Sequence, residues 1–169
     1  EEVVEKIEEG IEKGYCCFNS NARDFARIGK LYLNKGNFDG VQLVDTAFVE
    51  ESTRPAPILD NNGQPNRIYG LHWWCINRKQ HQVFFARGIL GQYIFVVPDK
   101  NLIIVRLGHK RGERTPDGYV EDIFTYLDET IKIFSQGYGT VEYEKKKVST
   151  SYSKSKANAS ITGTISALG

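Results

Sequence analysis

The sequence predicts an α+β domain: an antiparallel meander of about four strands, with a C-terminal helix packed on it and another helix ahead of it. Three observations carry this. Residues 22–34 place apolar side chains at helical spacing, residues 69–107 switch to aromatic and β-branched runs parted by short links, and residues 119–134 return to helical spacing. A chain of 169 residues, 40% hydrophobic and 25% charged, is long and apolar enough for one such core.

Residues 1–14 are rich in Glu and Lys, and Val3, Val4 and Ile7 predict a short amphipathic helix stopped at Gly10 or Gly14. Asn19, Ser20 and Asn21 are all candidates to cap the next helix. Its buried face is Ala22, Phe25, Ala26, Gly29, Tyr32 and Leu33, and Gly36 is the expected C′ residue. Asp24 in the first turn and Lys30 and Lys35 late in the helix suit its dipole. Asp39-Gly40 is a turn signal, Val41–Val44 an extended piece, and Asp45 the cap of a short helix to about Glu51. Pro55, Pro57, Gly63 and Pro65 mark a long loop.

Four strands are then expected at Tyr69–Ile76, Gln82–Ala86, Gln92–Val97 and Leu102–Leu107. Asn77–Lys79, Gly88–Gly91 and Pro98–Asn101 separate them. His109–Gly118 reads as a polar loop, and Val120, Ile123, Phe124, Leu127, Ile131 and Phe134 form the inward face of the last helix. Three segments are expected: an acidic piece at 1–14, a domain at 15–136, and a polar, repetitive tail at 137–169 in which Ser160–Ala167 is a candidate added strand.

Composition narrows the function classes. A formal net charge of +1 with no basic stripe argues against a nucleic-acid partner. No apolar run approaches the roughly 20 residues of a membrane span, and the acidic first residues are not a signal peptide, so any export signal is expected upstream. His72, His81 and His109 are scattered, and Cys16, Cys17 and Cys75 form no disulfide framework. No metal site and no cofactor is therefore expected, and the adjacent thiols read as buried and reduced.

Five segments resemble a known family. Cys16–Gly36, with its Asn-x-x-Ala-Arg-Asp opening at Asn19–Asp24, is similar to a signature helix of bacterial β-lactamase/penicillin-binding-protein-like serine hydrolases. Gly40–Val44, Tyr69-Gly70-Leu71-His72-Trp73-Trp74, Phe85–Ile94 and Pro98–Gly108 follow in family order, so the resemblance runs from about Gly10 to Phe134. Its flavour is that of the amide- and ester-hydrolysing branch. The resemblance implies a partial β-lactamase/transpeptidase-like fold and acyl transfer. In that chemistry a serine from Ser-x-x-Lys attacks a carbonyl, a tyrosine from Tyr-x-Asn carries the proton, and a Lys-Thr-Gly-like strand supplies a backbone N–H to the oxyanion.

Ser-x-x-Lys and Tyr-x-Asn belong well ahead of the signature helix in that family, and only about twenty residues precede it here. The expectation is a C-terminal portion that lacks the nucleophile and is inactive alone. Ser151–Lys154 and Ser153–Lys156 match Ser-x-x-Lys only formally, in a polar tail with no apolar face to bury the lysine. Tyr32-Leu33-Asn34 matches Tyr-x-Asn inside the signature helix.

By the same resemblance, Ala86-Arg87-Gly88 stands where Lys-Thr-Gly would. Ile89 then presents the oxyanion N–H and Gly88 permits close approach of a ligand. Arg87 either orients a substrate carboxylate or points to solvent from an edge strand. Gln92 faces the cleft or is structural, and Asn19 lies near the cleft or caps the helix. Trp73 and Trp74 alternate faces, one of them inward. The expected partner is a small-molecule or peptide-like substrate, once an N-terminal half completes the site. The competing reading is a non-catalytic interaction module that self-associates through an exposed sheet. Compartment is not legible, although the family suggests a periplasmic or membrane-anchored parent.

Overall fold

The computed structural model describes residues 19–136. The expected N-terminal helix, the Cys16-Cys17 pair and the polar tail with its candidate strand lie outside the described residues.

Helix α1 spans Ala22–Leu33. Its cap is Asn21, whose side chain accepts from the backbone N–H groups of Arg23 and Asp24 at 2.9 and 3.2 Å. The C-terminus differs from expectation. Lys35, not Gly36, takes the left-handed C′ position at φ 52°, and the Gly36 N–H reaches back to the Leu31 carbonyl at 2.8 Å. This 6→1 bond makes Gly36 the C″ residue of a Schellman motif. Strands β1 (Asn37–Phe38) and β2 (Val41–Gln42) form a minimal hairpin, with Asp39 and Gly40 both at positive φ as a type I′ turn requires. Asp45 caps α2 (Thr46–Ser52) as expected.

The main sheet is an antiparallel meander in the order β3-β4-β5-β6. Its strands are β3 (Trp74–Arg78), β4 (His81–Gly88), β5 (Gln92–Val97) and β6 (Leu102–Arg106). The first strand is displaced from its expected bounds. Tyr69–Trp73 is irregular because His72 adopts φ 65° and Gly70 is wedged where a Cβ would overlap the Ser52 and Arg54 carbonyl oxygens. The link to β4 is Lys79-Gln80, both at positive φ, so the strand runs on through Asn77 and Arg78. A single 3₁₀ turn at Pro98–Lys100 joins β5 to β6.

Alternating side chains send the two sheet faces to different helices. Val83, Phe85, Tyr93, Phe95 and Val97 pack under Ile123, Leu127 and Ile131 of α3 (Glu121–Ser135). Phe84 and Val96 pack with Trp73 against Ile28, Tyr32 and Leu33 of α1. Gly29 lets α1 approach closely, since a Cβ there would lie 2.8 Å from Ile103 Cγ2. The result is a helix–sheet–helix sandwich, an α+β domain with a four-stranded antiparallel sheet as the sequence predicts. No helix among the described residues is long and apolar enough to cross a membrane.

One ion-pair cluster fastens α3 to the β3–β4 end. Arg78 grips Asp128 with Nε and Nη2 at 3.0 and 2.8 Å, and Lys79 Nζ adds a contact at 2.8 Å. The Arg78 hydrogen bonds, with help from Lys79, hold the Asp128 carboxyl down to about 2. A depressed acid stabilises the fold fully above its unfolded value near 3.9, and that contribution fades as pH falls through the folded value. The lysine is largely exposed, so solvent screening limits the effect to roughly 1 kcal/mol. Melting curves at pH 5 and pH 2 are expected to show this loss in the native chain. Asp128→Asn should be weaker at pH 5 and lack that part of the acid slope; an unchanged slope would remove the cluster from the account.

Candidate active-site turn

The turn between β4 and β5 is where the resemblance puts chemistry. Gly88 pairs with Gln92, leaving Ile89, Leu90 and Gly91 outside the ladder. Leu90 and Gly91 take φ 60° and 81°. The ladder therefore stops just short of Ile89, whose N–H donates to no partner among the described residues. The side chains of Ile89 and Leu90 stand in solvent, 76% and 48% exposed.

The turn is held from beneath. Arg106, at the end of β6, donates through Nη1 to the Gly91 carbonyl and through Nη2 to the Lys110 carbonyl at 3.0 Å. A Cβ on Gly91 would overlap that guanidinium, so both the turn conformation and the clamp require glycine. Gln92 Nε2 donates to the Gly108 carbonyl at 3.2 Å. Of the two readings of Gln92, this bond supports the structural one, pinning the hairpin to the segment after β6. Gly88 likewise lies close to its cross-strand partner, since a Cβ there would come 2.9 Å from the Gln92 Cβ.

Arg87 does not point to solvent from an edge. Strand β4 has neighbours on both sides, and alternation turns Arg87 to the α3 face with Phe85 and Tyr93. Its guanidinium lies 3.4 Å from the centroid of the Trp74 ring, and Nη1 donates to the Gly118 carbonyl at 3.0 Å. Burial lowers the Arg87 pKa first, and the charges of Arg114 and Arg111 lower it further. Asn19 is exposed and does not cap α1, and no hydrogen bond or ion pair joins it to the turn. Of the two tryptophans, Trp73 is buried and Trp74 is half-buried under Arg87.

Sequence reasoning missed Arg106, which entered only as a strand residue. The register pairs it with Tyr93, and its guanidinium lies 5.7 Å from the Tyr93 ring and 4.7 Å from the Tyr126 ring. Tyr93 Oη donates to Asp122 Oδ1 at 3.0 Å. Burial, reinforced by that carboxylate, pushes the phenol up to about 12, so it stays protonated. A cation at the end of an otherwise apolar strand, next to a glycine turn, was the available signal.

No family model matches the chain. The curated 6-aminohexanoate-dimer hydrolase of Paenarthrobacter ureafaciens is 30% identical over 92 residues, which is 51% of this chain and 23% of that protein. A solved structure described as "Putative 6-aminohexanoate-dimer hydrolase from Bacillus anthracis" superposes with a TM-score of 0.52 at 25% identity, covering 69% of this chain and 29% of the other. The chain thus spans about a quarter of the length of the curated relative it matches. Sequence similarity and the order of strands and helices agree: the chain is similar, over part of their length, to hydrolases of β-lactamase-like fold.

Proposed function

We propose that this chain carries the oxyanion side of a serine acyl-hydrolase site, as a C-terminal portion of a longer protein whose preceding sequence holds Ser-x-x-Lys. The carrying observation is the Ile89 N–H, unpartnered at a turn that Arg106 and Gln92 hold in place. An amide fixed in this way meets developing negative charge without reorganising, which is what an oxyanion donor must do. In the reaction, the serine oxygen bonds to the acyl carbon and the carbonyl oxygen becomes an oxyanion against Ile89. The amine or alcohol leaves with a proton, and water then releases the acid. Gly88 keeps that side of the strand narrow, and the names of the relatives favour a linear amide over a β-lactam as substrate.

A second reading has one observation behind it. Leu102, Ile103, Ile104 and Val105 of β6 are half-exposed, and no described strand pairs with their outer edge. A strand without Pro, bulge or interior charge invites pairing with another strand. This edge suits either the missing part of the hydrolase or self-association in a non-catalytic module.

One experiment separates the two. A fluorophosphonate probe should label the longer protein at its Ser-x-x-Lys serine and leave this chain alone unlabelled. Sedimentation of the same samples should show that the added sequence also suppresses self-association. Labelling of this chain by itself would overturn the assignment of the nucleophile.

A further inference from the structure

The Arg106 clamp beneath the turn is itself held, and the charge that holds it comes from α3. Asp122, in the first turn of that helix, faces Arg106 Nη1 through Oδ2 at 3.9 Å and accepts from Tyr93 Oη through Oδ1 at 3.0 Å. The Arg106 and Asp122 side chains are only 22% and 18% exposed, so salt screens their attraction less than that of a surface pair. Two glycines make room for the guanidinium, since a Cβ on Gly91 or on Gly108 would overlap Nη1.

At 3.9 Å the carboxylate is too far for a hydrogen bond to Arg106 and acts on it as a charge. Its own place is fixed from two sides. The phenol that anchors it belongs to Tyr93, which is buried in β5 directly after the turn. Helix α3 has no capping side chain, and the loop that follows β6 sets its start: the Glu121 N–H donates to the Glu113 carbonyl at 3.0 Å, and Arg114 bridges to Val120. The same loop accepts from Arg106 at Lys110 and from Gln92 at Gly108. Turn, loop and helix start therefore meet at one guanidinium. A lysine there would keep the charge and lose the planar fork that spans two carbonyls.

We propose that Asp122 is a positioning residue for the Ile89 amide and acts through Arg106: it fixes the guanidinium that holds Gly91, and Tyr93 fixes Asp122 in turn. None of the three needs to touch the substrate. Their effect on rate comes from placement, because a shift of about 1 Å in a group that meets the reacting atoms can cost about 10²-fold. The catalytic consequence rests on the oxyanion reading, whereas the link from α3 to the turn stands without it.

The test has two arms. In the 169-residue chain, NMR relaxation follows the backbone amides of Ile89, Leu90 and Gly91. Asp122→Asn keeps an acceptor for Tyr93 and removes the charge that faces Arg106. It should drop the order parameters of the turn from about 0.85 toward 0.6 while the amides of Phe84 and Val96 stay rigid, and Arg106→Lys should do the same. In the longer hydrolase, Asp122→Asn should lower kcat about tenfold with KM within about twofold, and Arg106→Lys at least as much. Because Asp122 acts through Arg106, the double variant should be no slower than Arg106→Lys alone. Losses that multiply would show independent action and overturn the proposal, as would a turn that stays rigid in Asp122→Asn. A loss of stability that leaves both turn order and kcat untouched would also overturn it, making Asp122 structural only. Should Arg106→Lys fail to fold, Tyr93→Phe, which removes one hydrogen bond and keeps the ring, takes its place in the cycle with the same expected non-additivity. A loosened turn with unchanged kcat would instead sink the oxyanion reading and leave the link from α3 in place.

Discussion

Replacing Ile89 by proline is expected to lower kcat of the longer hydrolase by about 10²–10³-fold, the usual cost of deleting one oxyanion donor. Proline removes the N–H and little else at this position. Ile89 lies beyond the last ladder pair, so no sheet hydrogen bond is lost, and its exposed side chain contributes nothing to the core. The preceding residue, Gly88, is in a strand, the conformation that a following proline prefers. Ile89→Ala is the control: it keeps the N–H and should leave kcat within about threefold, with its effect confined to KM if the side chain contacts the acyl chain. Equal losses in the two variants would show that the side chain, not the main chain, matters. A proline variant with full kcat would remove Ile89 from the oxyanion site altogether.

Both the legible and the illegible parts of this fold follow from how local their causes are. Helix α1 and the Asp39-Gly40 turn were readable because caps, periodicity and turn residues act within a few positions. The start of β3 was not readable. Tyr69-Gly70-Leu71-His72-Trp73-Trp74 has strand composition throughout, and what interrupts it is Gly70 pressed against the carbonyls that end α2, a contact some eighteen residues distant in sequence. Of the two readings of Arg87, the one that put it on an edge strand fails for a related reason: whether a strand lies at an edge depends on neighbours elsewhere in the chain, and β3 and β5 flank β4 on both sides. The turn at Ile89 was found by resemblance, but the clamp beneath it depends on Arg106, and strand composition alone does not say which residue of β6 meets Gly91. Lys35 shows the limit of residue preference. Glycine is favoured at a left-handed C′, yet here the contact of residue 36 with the β2–α2 link demands the glycine, and the lysine takes the strained place.

Everything proposed for the turn presumes that β4 and β5 stand on a packed core in this chain by itself, and Phe95 is where that presumption is most exposed to test. Phe95 is fully buried on the α3 face, with its ring centroid 5.3 Å from Phe85 and 5.2 Å from Tyr93, in the cluster completed by Ile123, Leu127 and Ile131. Phe95→Ala is expected to cost about 3–5 kcal/mol, from lost transfer energy and from a cavity that two neighbouring rings cannot collapse to fill. Its neighbour Val96 is equally buried but faces α1. Removing two methyl groups there should cost less, about 1–3 kcal/mol. Urea unfolding of the 169-residue chain then distinguishes two situations. If sheet and both helices form one cooperative unit, each variant moves a single transition, Phe95→Ala further than Val96→Ala, with m unchanged. If the open edge of β6 leaves the sheet loose, Phe95→Ala shifts stability by less than about 1 kcal/mol, and the Ile89 amide has no fixed place from which to meet an oxyanion.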